Sequence, residues 1–70
     1  MITVFITAIQ RKHLDRWEME IVPRRGEFIR VNEETYLITQ LLWEDPTTVT
    51  LRCVSFNDPQ YDMERSFLWS

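Results

Sequence analysis

Histidine occurs once in these seventy residues, as His13, and cysteine once, as Cys53. A general base needs a nucleophile and a pocket that holds the two together. The neighbours of His13 are Lys12, Leu14 and Asp15. Asp15 is near enough to orient the ring, but no nucleophile stands beside it. The spacing predicts an exposed loop histidine. A cysteine becomes a nucleophile when a cation lowers its pKa. Cys53 lies in an alternating run near Leu51 and Val54, with Arg52 directed to the opposite face. That pattern predicts a small buried apolar side chain. Two acid pairs remain, Glu33-Glu34 and Glu44-Asp45. Both fall where turns are expected, and exposed turns neither fix a carboxylate separation nor drive two environments apart. A metal would require further oxygen ligands at loop spacing. The chain is therefore read as non-enzymatic, with no catalytic residue, metal site or cofactor.

Binding chemistry is better represented. Arg11, Lys12 and Arg16 project from the first polar stretch, and Arg24 and Arg25 from a tight turn. Brought together beside Trp17, they would combine cations with an aromatic platform suited to single-stranded nucleic acid. Charge argues against a dedicated nucleic-acid protein, which carries a basic domain charge and a one-sided Lys/Arg stripe. The net charge here is −3. The acidic excess is concentrated late, where Glu44, Asp45, Asp58, Asp62 and Glu64 face Arg52 and Arg65. Aromatics supply the other clue: Phe5, Trp17, Phe28, Tyr36, Trp43, Phe56, Tyr61, Phe67 and Trp69 are many for one small core. Those left outside, in particular Phe5 with Ile9 and Phe67 with Trp69, are expected to form an apolar patch. Such patches mark protein interfaces, where Trp, Tyr and Arg dominate binding energy. The leading expectation is a protein-binding or adaptor module using Phe5, Trp17, Arg24, Arg25, Phe67 and Trp69. Its partner is another protein or a second copy of the chain. The alternative is single-stranded nucleic-acid binding through the Arg11–Arg16 and Arg24–Arg25 loops.

The elements that must position these residues are read from a period of two along nearly the whole chain. Ile2, Val4, Ile6 and Ala8 alternate with Thr3, Phe5, Thr7 and Ile9, a first strand apolar on both faces and so central or covered on both sides. Gln10–Arg16 reads as a connecting loop, and Trp17, Met19 and Ile21 as the inward face of a second strand. Pro23-Arg24-Arg25-Gly26 is a turn, with proline at its first corner. Phe28 and Arg30 then oppose Ile29 and Val31 in a third strand. Asn32–Thr35 is short enough for a hairpin loop. In Tyr36–Trp43 the phase changes: Tyr36 and Ile38 set one, Leu41 and Trp43 the other. A one-residue change near Thr39-Gln40 predicts a β-bulge that bends the strand, although a helix also fits the spacing. Glu44–Thr48 is a turn and Val49–Phe56 a strand. Asp58 and Pro59 suit the start of a helix reaching about Met63. Phe67, Leu68 and Trp69 are expected to form a last strand pairing with the first.

A chain this short holds one hydrophobic core. It has no disulfide or metal to brace it, so apolar burial must carry the fold. Five or six short strands joined by tight turns predict a single all-β domain over residues 1–70, an antiparallel sheet strongly bent into a barrel. Met1–Ile9 lacks the basic start and cleavage site of a targeting segment and is too short to span a bilayer, so no membrane partner is expected. The single unpaired cysteine suits the cytosol.

The run Val22-Pro23-Arg24-Arg25-Gly26-Glu27-Phe28-Ile29-Arg30-Val31, with Tyr36-Leu37-Ile38 and Leu41-Leu42-Trp43 after it, resembles small Src-homology-3-like barrels. In those, a Pro-x-x-Gly-acidic turn leads into a strand, a short hairpin follows, and a Tyr-x-Val-x-x-Val-x-Trp strand comes next. The resemblance covers Val22–Val54. It implies the fold, and a setting among short bacterial or phage proteins, but no site residues, since small barrels carry many unrelated activities.

Overall fold

The computed structural model describes residues 1–10 and 12–69, without the side chains of Phe67 and Trp69. Five strands are followed by one helix: β1 (Ile2–Ala8), β2 (His13–Met19), β3 (Phe28–Val31), β4 (Glu34–Asp45), β5 (Thr48–Ser55) and α1 (Tyr61–Trp69). The strands form one sheet in the order β2-β1-β5-β4-β3, curled into a half-barrel. The expected small, mostly β fold is present.

It is a mixed sheet, not an antiparallel one: β1 runs parallel to β5, with Val4 beside Val49 and Ala8 beside Cys53. A parallel pair needs a long crossover. Here the whole β2–β4 stretch provides it, and a reading that passes from one tight turn to the next has no way to register such a return.

The concave face holds the core. Val4 and Ile6 from β1, Ile29 and Val31 from β3, Tyr36 and Ile38 from β4, and Val49, Leu51 and Cys53 from β5 form one buried cluster. Ile2, Leu14, Trp17, Met19, Val22 and Leu41 close over it. The expected bulge is present at Thr39, where the β4–β5 register slips between Ile38 and Gln40. A second slip lies between Trp43 and Asp45. Each inserts one residue and adds bend, which is how so short a sheet can wrap a core.

Several boundaries differ from expectation, among them those of β4, which takes in Glu34, Thr35, Glu44 and Asp45 from the expected turns. Most of the expected Gln10–Arg16 loop is strand: β2 begins at His13, and the Ala8 amide donates to the Lys12 carbonyl at 2.8 Å. A third register slip opposite Ile6 and Thr7 brings both Leu14 and Trp17 inward, which disguises the strand's alternation. Ile21, expected on the inward face of that strand, lies past its end and is 85% exposed. The turn before β3 is shifted by one residue, with the Glu27 amide bonded to the Arg24 carbonyl at 3.1 Å and Gly26 at φ 91°. Its third position demands the positive φ that glycine adopts without steric cost.

The C-terminus differs as well. Phe67–Trp69 is helical, and α1 runs on through the positions expected to form a sixth strand. β1 already has β2 on one side and β5 on the other, so no edge was free to receive a strand. Asp58 does prepare the helix, accepting the Gln60 amide at 2.8 Å. Tyr61 and Leu68 then pack on a second, smaller cluster of Ile9, Leu37 and Val54 on the convex face. Ile9 is thereby covered and does not form part of an exposed patch.

Candidate functional site

Alternation in β3 buries Ile29 and Val31 and turns Phe28 outward, level with Leu37 of β4. β5 ends at Ser55, and the chain turns sharply through Phe56, Asn57 and Asp58. The Phe28 and Phe56 rings meet edge to face, with centroids 5.2 Å apart and an interplanar angle of 82°. Phe56 meets Tyr61 of α1 in the same way at 4.8 Å. The guanidinium of Arg65 lies 5.8 Å from the Tyr61 ring centre, within cation–π reach. Phe28 remains 49% exposed and Phe56 48%. An aromatic row thus runs from the β3 edge to the helix, above the buried pair Leu37 and Val54.

The turn beneath this row is held by one carboxylate. Glu34 accepts the Ser55 hydroxyl at 2.6 Å, the Tyr36 hydroxyl at 3.0 Å and the Asn57 amide nitrogen at 3.2 Å. These donors hold its pKa below the ordinary carboxylate value, Ser55 contributing most. Burial, helped by the bond to Glu34, raises that of Tyr36. Glu34 is therefore a cross-strand tie rather than a solvated turn acid. Farther along, the Gln10 amide reaches the Asp58 carboxylate, linking the β1–β2 turn to the helix start. Phe56 is presented from a hydrogen-bonded turn, so little conformational freedom is lost if a partner covers it.

The residues singled out in the sequence are dispersed. Phe5 lies on the convex face between Arg16 and Thr50, half-buried, with the His13 ring 6.3 Å away. Trp17 points inward onto the core, and its indole nitrogen donates to Asp15 at 2.9 Å. Asp15 also accepts the Arg16 amide at 2.7 Å, and these two bonds hold its pKa low. It therefore braces Trp17, while His13 stands exposed on β2. Arg24 and Arg25 are exposed in the turn before β3. The row Lys12–Ala8–Cys53–Ile38–Gly26 puts the width of the sheet between that turn and the β1–β2 turn. Arg16 pairs instead with Glu18 at 3.5 Å. Arg11, and the side chains of Phe67 and Trp69, lie outside the described residues.

Cys53 is buried, and desolvation pushes its thiol up to about 12. Among the described residues, no group of three His, Cys, Asp or Glu side chains could hold a metal ion. A convex-face groove of about 180 Å³ is lined by Thr7, Ala8, Gln40, Leu42, Thr50 and Arg52. That is below the ~300–1,000 Å³ usual for small-molecule sites, whereas a more open depression of about 460 Å³ beside Arg25, Thr39, Gln40 and Leu41 falls within it. No described helix is long and apolar enough to cross a membrane.

No family model, no curated protein and no solved structure matches this chain. The sequence offered one hint of the aromatic row, the outward phase of Phe28. The meeting of Phe28 with Phe56 and Tyr61, which lie far from it in the chain, had no local signal.

Proposed function

We propose that this chain is a non-enzymatic docking module that binds another protein through the aromatic row of Phe28, Phe56 and Tyr61, with Arg65 at its end. The observation that supports it is a pair of half-exposed phenylalanines held edge to face, Phe28 on β3 and Phe56 on a braced turn. Apolar and aromatic side chains concentrated at one place, next to an arginine, are the composition of binding hot spots. We further read the half-barrel as kin to the small Src-homology-3-like barrels. The turn into β3, the short hairpin and the bulged β4 support that kinship, whereas the parallel β1–β5 pair departs from antiparallel order.

The test compares proteins captured from the native host on the wild-type chain and on a Phe28→Ser/Phe56→Ser variant with an unchanged far-ultraviolet spectrum. A specific protein retained by the first and lost from the second is the expected result. Equal retention by both, or no retention by either, would overturn the reading. The same samples are titrated with a labelled single-stranded oligonucleotide at low salt. Binding that weakens with salt and with Arg24→Ala/Arg25→Ala would favour nucleic acid instead.

A further inference from the structure

β4 is twelve residues long and β3 four, so β4 overruns its neighbour. The β3–β4 ladder ends at Phe28 and Leu37, extended by the bonds Gly26 to Ile38 and Ile38 to Glu27. Beyond it, Gln40–Trp43 pairs with Arg52–Val49 of β5 on one side. On the other side, no backbone hydrogen bond from the described residues reaches Gln40–Glu44. Trp43 records the consequence. It pairs with Val49, which is fully buried, and shares the inward phase of Leu41, yet it is 46% exposed, with no described strand paired on its other side. Leu42, on the convex face, is 61% exposed.

We infer that this free edge pairs with the same edge of a second copy, joining two half-barrels into one continuous sheet. The edge is self-complementary in charge. At its start Arg25 lines a shallow depression with Thr39, Gln40 and Leu41. At its far end stands Glu44, and neither Arg25 nor Glu44 is engaged in an ion pair among the described residues. A two-fold axis perpendicular to the sheet runs the edges antiparallel and keeps convex face with convex face, which requires paired residue numbers to sum to an even value. Centred on Leu42, the pairing sets Leu42 against the second copy's Leu42 and Leu41 against its Trp43. Gln40, and with it Arg25, then faces the second copy's Glu44. The bulges at Thr39 and Glu44 interrupt the regular edge at both ends, so the contact closes as a pair rather than growing into a fibre. This edge is separate from the Phe28–Phe56 row, and the inference does not depend on that row's function.

Sedimentation of the full chain from low-micromolar to near-millimolar concentration, at low salt, tests it. The expected result is a shift from one to two chain masses, abolished by Leu42→Lys and by Arg25→Glu, and restored when Arg25→Glu is combined with Glu44→Arg. A single-chain mass throughout would overturn the inference, as would a dimer indifferent to all three variants. Leu42→Cys gives an independent reading that does not require a charged residue to be tolerated. Mild oxidation is expected to cross-link this variant across the axis, with the buried Cys53 as silent background, and to leave Met63→Cys on α1 uncross-linked. Equal cross-linking of the two would show random collision and overturn the inference.

Discussion

The carboxylate of Glu34, the first residue of β4, accepts the hydroxyl of Ser55, the last residue of β5, at 2.6 Å. The two lie at the same end of an antiparallel pair, next to Tyr36, which is level with Ser55. The bond fastens the β3–β4 hairpin to the turn that carries Phe56.

Because that carboxylate titrates lower in the folded chain than its ordinary value of 4.5, it stabilises the fold at pH above that value. The contribution is lost as the pH falls through the depressed folded value, where the folded state must take up the proton as well. Glu34→Gln is expected to lower the melting temperature at neutral pH and to flatten its fall between pH values near 4.5 and below. Thermal melts across that window check it. An acid limb identical to wild type would exclude Glu34 as its source.

The β3–β4 hairpin turns on Asn32 at φ 51° and Glu33 at φ 67°, both left-handed. Two-residue loops of this kind favour Asn-Gly, because a β-carbon at the second position crowds the following carbonyl. Glu33→Gly is expected to stabilise the chain by about 0.5–1 kcal/mol once the greater freedom of glycine in the unfolded state is set against the relieved strain. For a domain of this size that raises the melting temperature by roughly 2–8 °C. An unchanged or lower midpoint in a calorimetric scan would contradict it.

Leu51 is fully buried in the main cluster, while Leu42 on the neighbouring strand faces water. Leu51→Ala is expected to cost about 2–5 kcal/mol through lost transfer energy and the cavity left behind. The monomer's whole stability is expected to be of order 4–10 kcal/mol, so this one change brings the chain close to unfolding. Leu42→Ala, measured at dilute concentration, is expected to stay within about 0.5 kcal/mol of wild type. Urea denaturation of the two variants separates them.

Thiolate is the reactive form of cysteine, and Cys53 is both covered and pushed up to about 12 by desolvation. An aromatic disulfide reagent at pH 8 is expected to react with it at the rate of unfolding, and at once in denaturant. Fast labelling of the native chain would show that β5 is not closed over the core.

Much of the fold could be read from residue types alone. The alternations Val4/Ile6, Ile29/Val31 and Val49/Leu51/Cys53 announce their buried faces, because a strand sends successive side chains to opposite sides. The phase change around Thr39-Gln40 betrays a bulge for the same reason. What misled was tertiary in origin. A register slip hid β2 inside a charged stretch, and Phe67–Trp69, which reads as a last strand, is helical because β1 has no free edge to receive it.

The sequence by itself determined a small β domain with Cys53 in its core and too little organised chemistry to announce a catalytic site. The tertiary structure decided which aromatics face water and in whose company. Trp17 was drawn onto the core, Phe28 and Phe56 were brought edge to face, and the far half of β4 was left unpaired on one edge among the described residues. Local periodicity fixes which way a side chain points from its own strand. Only the order of strands across the sheet determines what, if anything, stands opposite it.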